Sequence, residues 1–452
     1  MNNDVTQKKI FHRWSPLAAS WLLMAIELPM VSAFVARMEN PEINLAAYGG
    51  LIFPLALLIE SPIIMLLAAS TALCKDWKSY VKVRRFMLVT GGLLTVLHIL
   101  VAFTPLYYVV VRTIIGIPEP VLEPARIGLM IMTPWTMAIA YRRFQQGVLI
   151  RFNRSGVVGK GTMIRLVTLT SFLVLGFFFT AQPGIIIGSF AVAMAVTSEA
   201  IFVGISVQST HRGPLRKAIT LSPALTWKGF TKFYTPLALT SFMSLLILPL
   251  GSAALSRMPM AIESLAVWPV VSGLLFLLRS SGIAYQEVVV AMLDEPEGYP
   301  KLKRFTWGLS GGLTAVLLLV AATPLALLWF QDISGLTADL IPLARTSLWI
   351  GVLFPALTVF VHWYQGILMN RHRTRGVTEA TGILMGVVSI VLFFGVAWGE
   401  VSGLILWLVA IGIGATVQIF WLIYCCHRTR TLGDTPNPIL PDPLEIGSTT
   451  GE

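Results

Sequence analysis

Three arginines lie inside long apolar stretches, where nothing soluble surrounds them. Arg142 and Arg143 are adjacent in the stretch 122–149, and Arg279 lies in 264–292. A guanidinium presents a planar fork of donors that fits carboxylate or phosphate in two places at once. The acids that could answer them from within apolar sequence are Glu27, Glu60, Glu199 and Glu287, and His98 and His362 add titratable imidazoles. Such groups cost about 2.5–3.5 kcal/mol each to place in hydrocarbon, so each has to face a partner or a cavity. Two chemistries are open: pairing that holds helices together, or binding of a charged solute.

The spacing weighs these readings residue by residue. Glu60 and Arg279 occupy nearly equivalent positions in the two halves of the chain, so they either bridge the halves or touch a solute. Arg142 and Arg143 point about 100° apart on a helix, so they cannot both meet one acid. His362 stands where the first half has Arg143, and Glu199 stands where the second half has Gln418, which suggests packing or hydrogen bonding for Glu199. Arg126 and Arg345 are equivalent residues near the start of their stretches and either snorkel or bind. Glu27 lies two residues before Pro29 and has Ile247 as its equivalent. A carboxyl beside a kink could couple proton uptake to bending. Pro29 and Pro249 are matched hinge candidates, because proline removes a backbone hydrogen bond.

The equivalences come from an internal repeat. Pro16-Leu17-Ala18 recurs as Pro236-Leu237-Ala238, Leu28-Pro29 as Leu248-Pro249, and Arg37-Met38 as Arg257-Met258, at an offset of 220. At 219, Thr104-Pro105-Leu106 recurs as Thr323-Pro324-Leu325, Ala125-Arg126 as Ala344-Arg345 and Gln146-Gly147 as Gln365-Gly366. The 452 residues are 56% hydrophobic and only 12% charged, against about 25% charged in soluble domains. Apolar stretches of about 20 residues recur throughout, each enough to cross a bilayer. The reading is an all-α integral membrane protein with twelve transmembrane helices in two six-helix repeats. An even number of spans per half makes the repeats parallel, related by an axis along the membrane normal. The expected organisation is a bundle over 1–208, a join over 209–231, a second bundle over 232–426 and a disordered tail over 427–452.

The net charge of +11 is spread over short loops rather than gathered in one patch, which argues against nucleic acid as a partner. Most of the 33 basic residues fall in alternate loops, including Lys75, Lys78, Arg84, Arg85, Arg151, Arg154, Lys160, Arg165, Arg371 and Arg375. The opposite loops hold Arg37, Arg112 and Arg257. This pattern places both termini in the cytoplasm, in a multi-pass protein of the plasma or inner membrane. No cleavable leader is expected, and Cys74, Cys425 and Cys426 are expected as free thiols.

No enzyme is expected. Gly156-Val157-Val158-Gly159-Lys160-Gly161-Thr162 lacks the Ser or Thr that follows Lys in a phosphate loop, and no His/Cys cluster has metal-ligand spacing. No catalytic residue, metal or cofactor is assigned. A duplicated membrane bundle is the usual build of a secondary transporter, with the bilayer and a small-molecule substrate as partners. More arginines than acids lie inside spans, which leans towards an anionic substrate, with a proton or cation as a possible coupling partner.

The architecture resembles the multidrug/oligosaccharidyl-lipid/polysaccharide (MOP) exporter superfamily, the MATE-like fold. Tyr234-Thr235-Pro236-Leu237-Ala238-Leu239, then Pro249, then Ser256-Arg257 resemble the seventh helix of the progressive ankylosis protein group within it. Pro342 to Ser347, with Leu343 and Arg345, and then Pro355 resemble its tenth. The resemblance implies export of a small multivalent anion such as ATP, citrate or pyrophosphate. A drug/cation antiporter, a flippase for lipid-linked precursors and a membrane scaffold without transport remain alternatives.

Overall fold

The computed structural model describes residues 6–219, 224–371 and 373–431. The described residues contain helices and no strand. The first half holds α1 (Gln7–Val35), α2 (Pro41–Leu73) and α3 (Trp77–Phe103). It continues with α4, built from Glu119–Ile131 and Thr133–Arg151, then α5 (Ser155–Phe179) and α6 (Gly184–Arg212). The second half holds α7 (Trp227–Leu255), α8 (Ala261–Met292), α9 (Gly298–Ala322), α10 (Ala338–Asn370), α11 (Thr374–Trp398) and α12 (Gly403–Thr431). With six helices per half, both chain ends fall at the same end of the bundle; the other end is called distal below.

Eleven of these helices are long and apolar enough to cross a membrane. The twelfth, α4, falls short only in apolarity, because it carries Glu119, Glu123, Arg126, Arg142, Arg143 and Arg151. Shifted by 219 it superposes in sequence on α10, so its charges are additions to a spanning segment. Glu119, Glu123 and Arg151 are exposed towards its ends, Arg126 and Arg143 are half-buried, and Arg142 is buried.

Local signals set the helix ends. Asp76 caps α3 by accepting from Ser79 N at 2.7 Å, and Thr226 caps α7 by accepting from Gly229 N at 3.0 Å. Asn40 and Met260, equivalent in the repeat, both take left-handed backbone (φ 50° and 56°) to start α2 and α8. Each half also folds a short hairpin before its fourth helix. Leu106–Tyr108 leads into a π-helical turn at Val109–Ile115, and Leu325–Leu327 leads into one at Leu328–Ile333. The join between halves is shorter than expected, since a helical turn at Pro214–Lys217 follows α6 and α7 begins at Trp227. Helix α12 runs to Thr431, past the expected boundary at 426, and the rest of the tail lies outside the described residues.

The halves exchange the starts of their first helices, while the distal ends stay on their own halves, Val35 against Gly184 and Gly251 against Trp407. The start of α1 lies on the second half: Trp14 Nε1 donates to Ser281 O at 2.9 Å, and Lys9 and Arg13 reach Glu295 at 2.6 and 3.2 Å. The start of α7 lies on the first half: Tyr234 Oη donates to Pro62 O at 2.5 Å, and Phe230 packs edge-on against Phe86. Between them, Gly49 of α2 abuts Pro269 of α8 so closely that a Cβ on Gly49 would overlap the proline ring. These two residues are equivalent in the repeat, so their contact lies on the pseudo-twofold axis.

The matched prolines behave differently. Helix α1 is broken at Ile26 into Gln7–Ala25 and Glu27–Val35. Pro29 has no N–H for Ala25 O, and the break falls within that turn. Helix α7 carries Pro236 and Pro249 yet runs through both as one helix.

Candidate functional site

The first half encloses a charged cluster built by four helices. Arg142 of α4 donates from Nη1 to Glu199 Oε2 of α6 at 2.8 Å. Gln146, one turn along α4, donates to the other oxygen of Glu199 at 2.9 Å. Arg165 of α5 places Nε 2.7 Å from Glu27 Oε1 and 3.5 Å from Glu199 Oε2. Glu27 thus joins the cluster from α1, in the first turn after the break at Ile26. Arg142 and Glu199 are 5% and 0% exposed, whereas Glu27 is 28% exposed and forms the open edge of the cluster. The adjacent arginines separate as helix geometry requires. Arg142 turns to Glu199, while Arg143 makes no ion pair among the described residues and its Nε is buried without a hydrogen-bond partner.

Glu60 of α2 lies close to Arg142 and Arg143 electrostatically, is 1% exposed, and has one carboxyl oxygen with no hydrogen-bond partner. It forms no ion pair with Arg279 among the described residues, so the bridge between halves that their spacing allowed is not made. Near-equivalence in a repeat puts two residues on corresponding faces of their own halves, which need not face each other. Glu199, expected to pack or hydrogen-bond, does so as an ion pair.

The second half assembles a different group. Arg279 Nε of α8 donates to Thr358 Oγ1 of α10 at 2.8 Å, and its guanidinium sits 5.9 Å from the centre of the Phe354 ring. His362, one turn after Thr358, lies close enough to feel the Arg279 charge, and its Nδ1 donates to Gln286 Oε1 at 2.5 Å. That bond leaves Nε2 as the acceptor of a neutral imidazole. No carboxylate pairs with Arg279 among the described residues.

Other candidates have structural surroundings. His98 is fully buried between Leu129 O at 3.0 Å and Thr136 Oγ1 at 2.9 Å. Arg126 bonds Ala102 O at 3.2 Å and Tyr108 Oη at 2.9 Å, holding the first hairpin against α4, while its equivalent Arg345 is exposed. Glu287 is exposed. Four participants escaped the sequence reading, among them Gln146, noticed only as part of the repeat. Arg165 was counted among the loop bases because it follows Arg151, Arg154 and Lys160, but it lies ten residues into α5 with its side chain buried. Gln286 and Thr358 carry no charge to betray them; the one-turn spacing of Thr358 and His362 was the available signal. The described residues hold no group of three or more His, Cys, Asp or Glu suited to a metal. A groove of about 680 Å³ opens between α7 and α11, lined by Lys228, Lys232, Thr231, Thr235 and Thr378.

No protein-family model matches the chain, and no curated protein sequence does. Solved structures match over almost its whole length. The inward-facing form of a multidrug resistance MATE family transporter of the MOP superfamily aligns with a TM-score of 0.69 at 14% identity, over 91% of this chain and 96% of that one. An outward-facing form of such a transporter gives 0.60 at 14% identity, over 95% and 97%. A MOP superfamily transporter from Pyrococcus furiosus, whose binding pocket is described as reversed in polarity, gives 0.61 at 14% identity, over 94% and 96%. The chain has the twelve-helix MATE-type fold of MOP superfamily transporters.

Proposed function

We propose that the protein is a secondary active exporter that moves a small multivalent anion, of the ATP, citrate or pyrophosphate kind, by alternating access. Its place in the progressive ankylosis group is part of the same proposal. The observation that carries it is Arg279. A guanidinium held inside a spanning helix by one neutral hydroxyl, with no carboxylate partner, has donors to spare for a carboxylate or phosphate. His362 offers an acceptor beside it for a hydroxyl or a protonated oxyanion. Arg143, unpaired in the first half, is the second anion contact. That a MOP transporter with a reversed pocket polarity exists supports the idea that this fold accommodates pockets of different charge.

Alternating access is supported by likeness to MATE transporters solved in both inward-facing and outward-facing forms. In this reading the termini are cytoplasmic, the membrane is the plasma or inner membrane, Pro29 and Pro249 serve as hinges, and Glu27 couples the cycle to a proton. The test is uptake into proteoliposomes, comparing tri- and dicarboxylates, nucleotides and pyrophosphate with cationic dyes. Saturable uptake of an anion class supports the proposal, and uptake of cationic dyes alone overturns it.

A second reading, drug/cation antiport, is favoured by one observation: the buried Glu60 oxygen without a partner, which a cation or proton would satisfy. It predicts dye uptake that is lost in Glu60→Gln and retained in Arg279→Ala.

A further inference from the structure

At the distal end, α1 and α7 finish in equivalent arginines, and each reaches across to the opposite half. Arg257 donates from Nη2 to Ile114 O at 2.6 Å and from Nη1 to Ile115 O, both in the π-helical turn of the first half. Arg37 donates from Nη2 to Asp332 O, in the π-helical turn of the second half. Each also holds its own helix, through Arg37 Nη1 to Ala33 O at 2.6 Å and Arg257 Nη1 to Ala253 O at 2.7 Å. Ala33 and Ala253 are themselves equivalent in the repeat.

The receiving turns are shaped for these groups. Gly116 (φ +81°) sits against Arg257 and its equivalent Gly335 (φ +71°) against Arg37. A Cβ at Gly335 would come within 2.9 Å of Arg37 Nη1, and one at Gly116 within 3.1 Å of Arg257 Cζ. Both glycines therefore supply a left-handed turn and the room for a guanidinium in the same place. The last carbonyls of a helical turn lack intrahelical donors and carry the negative end of its dipole, so an arginine from outside is a fitting cap.

We propose that Arg37 and Arg257 are paired latches that close the distal end, and that both release when the halves open towards that side. This rests on the alternating-access reading above. Rotation of one half against the other about the pseudo-twofold axis would part both arginines from the opposite hairpins at once. The bonds to Ala33 and Ala253 would survive, so neither guanidinium is left without a carbonyl. Both arginines are exposed, and water can take over the released donors. The device is thus strong in geometry and cheap to open.

The test is a pulsed electron–electron distance measurement on purified full-length protein in lipid nanodiscs. Spin labels go at Thr180 and Glu400, exposed residues near the distal ends of α5 and α11, in a background with Cys74, Cys425 and Cys426 replaced by Ser. The Arg37→Ala/Arg257→Ala double variant should populate a longer distance that is minor in the parent, with each single variant between the two. A folded double variant with the parental distribution overturns the proposal, and it leaves solute transport as a separate question because no solute enters the measurement. Should the double variant not fold, Arg37→Cys/Asp332→Cys takes its place. Its thiols, bridged by a reducible bis-maleimide about as long as the arginine side chain, should hold the side of the bundle where Thr337 meets Glu42 against trypsin as in the parent, and the unbridged variant should be cut faster; equal cleavage of bridged and unbridged protein overturns the latch.

Discussion

Arg142 and Glu199 meet at 2.8 Å inside the first half, where the second half carries Val361 and Gln418. The other members of the cluster also lack charged equivalents, since Arg165 corresponds to Leu384 and Glu27 to Ile247. The reverse holds for Arg279 and His362, which correspond to positions at or beside Glu60 and at Arg143. The duplication thus preserved backbone and lost chemical symmetry. One half is occupied by internal ion pairs, and the other keeps a cation free for something else.

The Arg142–Glu199 pair should carry stability. Removing Arg142 leaves the buried Glu199 with Gln146 and the longer contact to Arg165, and removing Glu199 leaves Arg142 without its ion pair, at a cost of up to about 3–5 kcal/mol. Arg142→Ala or Glu199→Ala should lower the thermal midpoint of the purified protein steeply. Arg142→Val with Glu199→Gln, which imitates the second half, should recover most of it. Single variants that melt like the parent would show the pair to be dispensable.

Arg279 should behave in the opposite way. Arg279→Ala removes a partnerless cation and should leave folding and membrane insertion intact. A lost charge-assisted contact is worth about 1.5–3 kcal/mol, or about 10- to 100-fold in apparent affinity for an anion. Arg279→Lys keeps the charge but loses the fork and the bond to Thr358, so it should fall between. Concentration dependence of anion uptake reads this directly. Equal uptake constants in all three proteins would remove Arg279 from the site.

The contact between Gly49 and Pro269 predicts where the halves tolerate no filling. Gly49→Val inserts an isopropyl group, three carbons, against the proline ring on the axis, and overpacking of this kind costs about 1–3 kcal/mol. Thermal stability should drop by that order. Gly92, which faces open space on α3, is the control, and Gly92→Ala should be neutral or slightly stabilising.

Much of this was legible before the fold. The offsets of 220 and 219 locate every equivalent pair used above, because a repeat constrains helix position as tightly as a structure does. Apolar stretches located the helices and charge alternation in the loops oriented them, and α4 was found despite its charges. What stayed hidden was rotation about helix axes. Sequence places Arg165 near loop bases; only the packing of α5 against α6 turns it inward to Glu199. Sequence makes Glu60 and Arg279 look like a pair; the fold gives Glu60 the company of Arg142 and Arg143 instead. The hairpins at 106–115 and 325–333 went unread because each is too short for a span and too apolar for a loop. The break in α1 against the continuity of α7 cannot be seen from matched prolines, since the difference lies in what each helix packs on.

Glu27 offers the sharpest test of coupling. It begins the segment after the break at Ile26, so its position follows the bend of α1. It faces Arg165 at 2.7 Å, with Arg142, Glu199 and Tyr48 in electrostatic reach. Ionised, it ties the bent helix to α5. Protonated, it loses the charge that holds it there, and α1 is free to straighten. The sign follows: acid on the side to which Glu27 is open should favour the released state, and base should favour the tied one. Glu27→Gln fixes the released state at every pH. Proteoliposomes with an imposed pH gradient should show gradient-stimulated transport in the parent and none in Glu27→Gln, while solute binding is retained. Glu27→Asp shortens the reach to Arg165 but keeps the proton site, so it should weaken the response without abolishing it. If Glu27→Gln responds to the gradient as the parent does, the proton is carried elsewhere, and Glu60 with its unpartnered oxygen becomes the residue to examine.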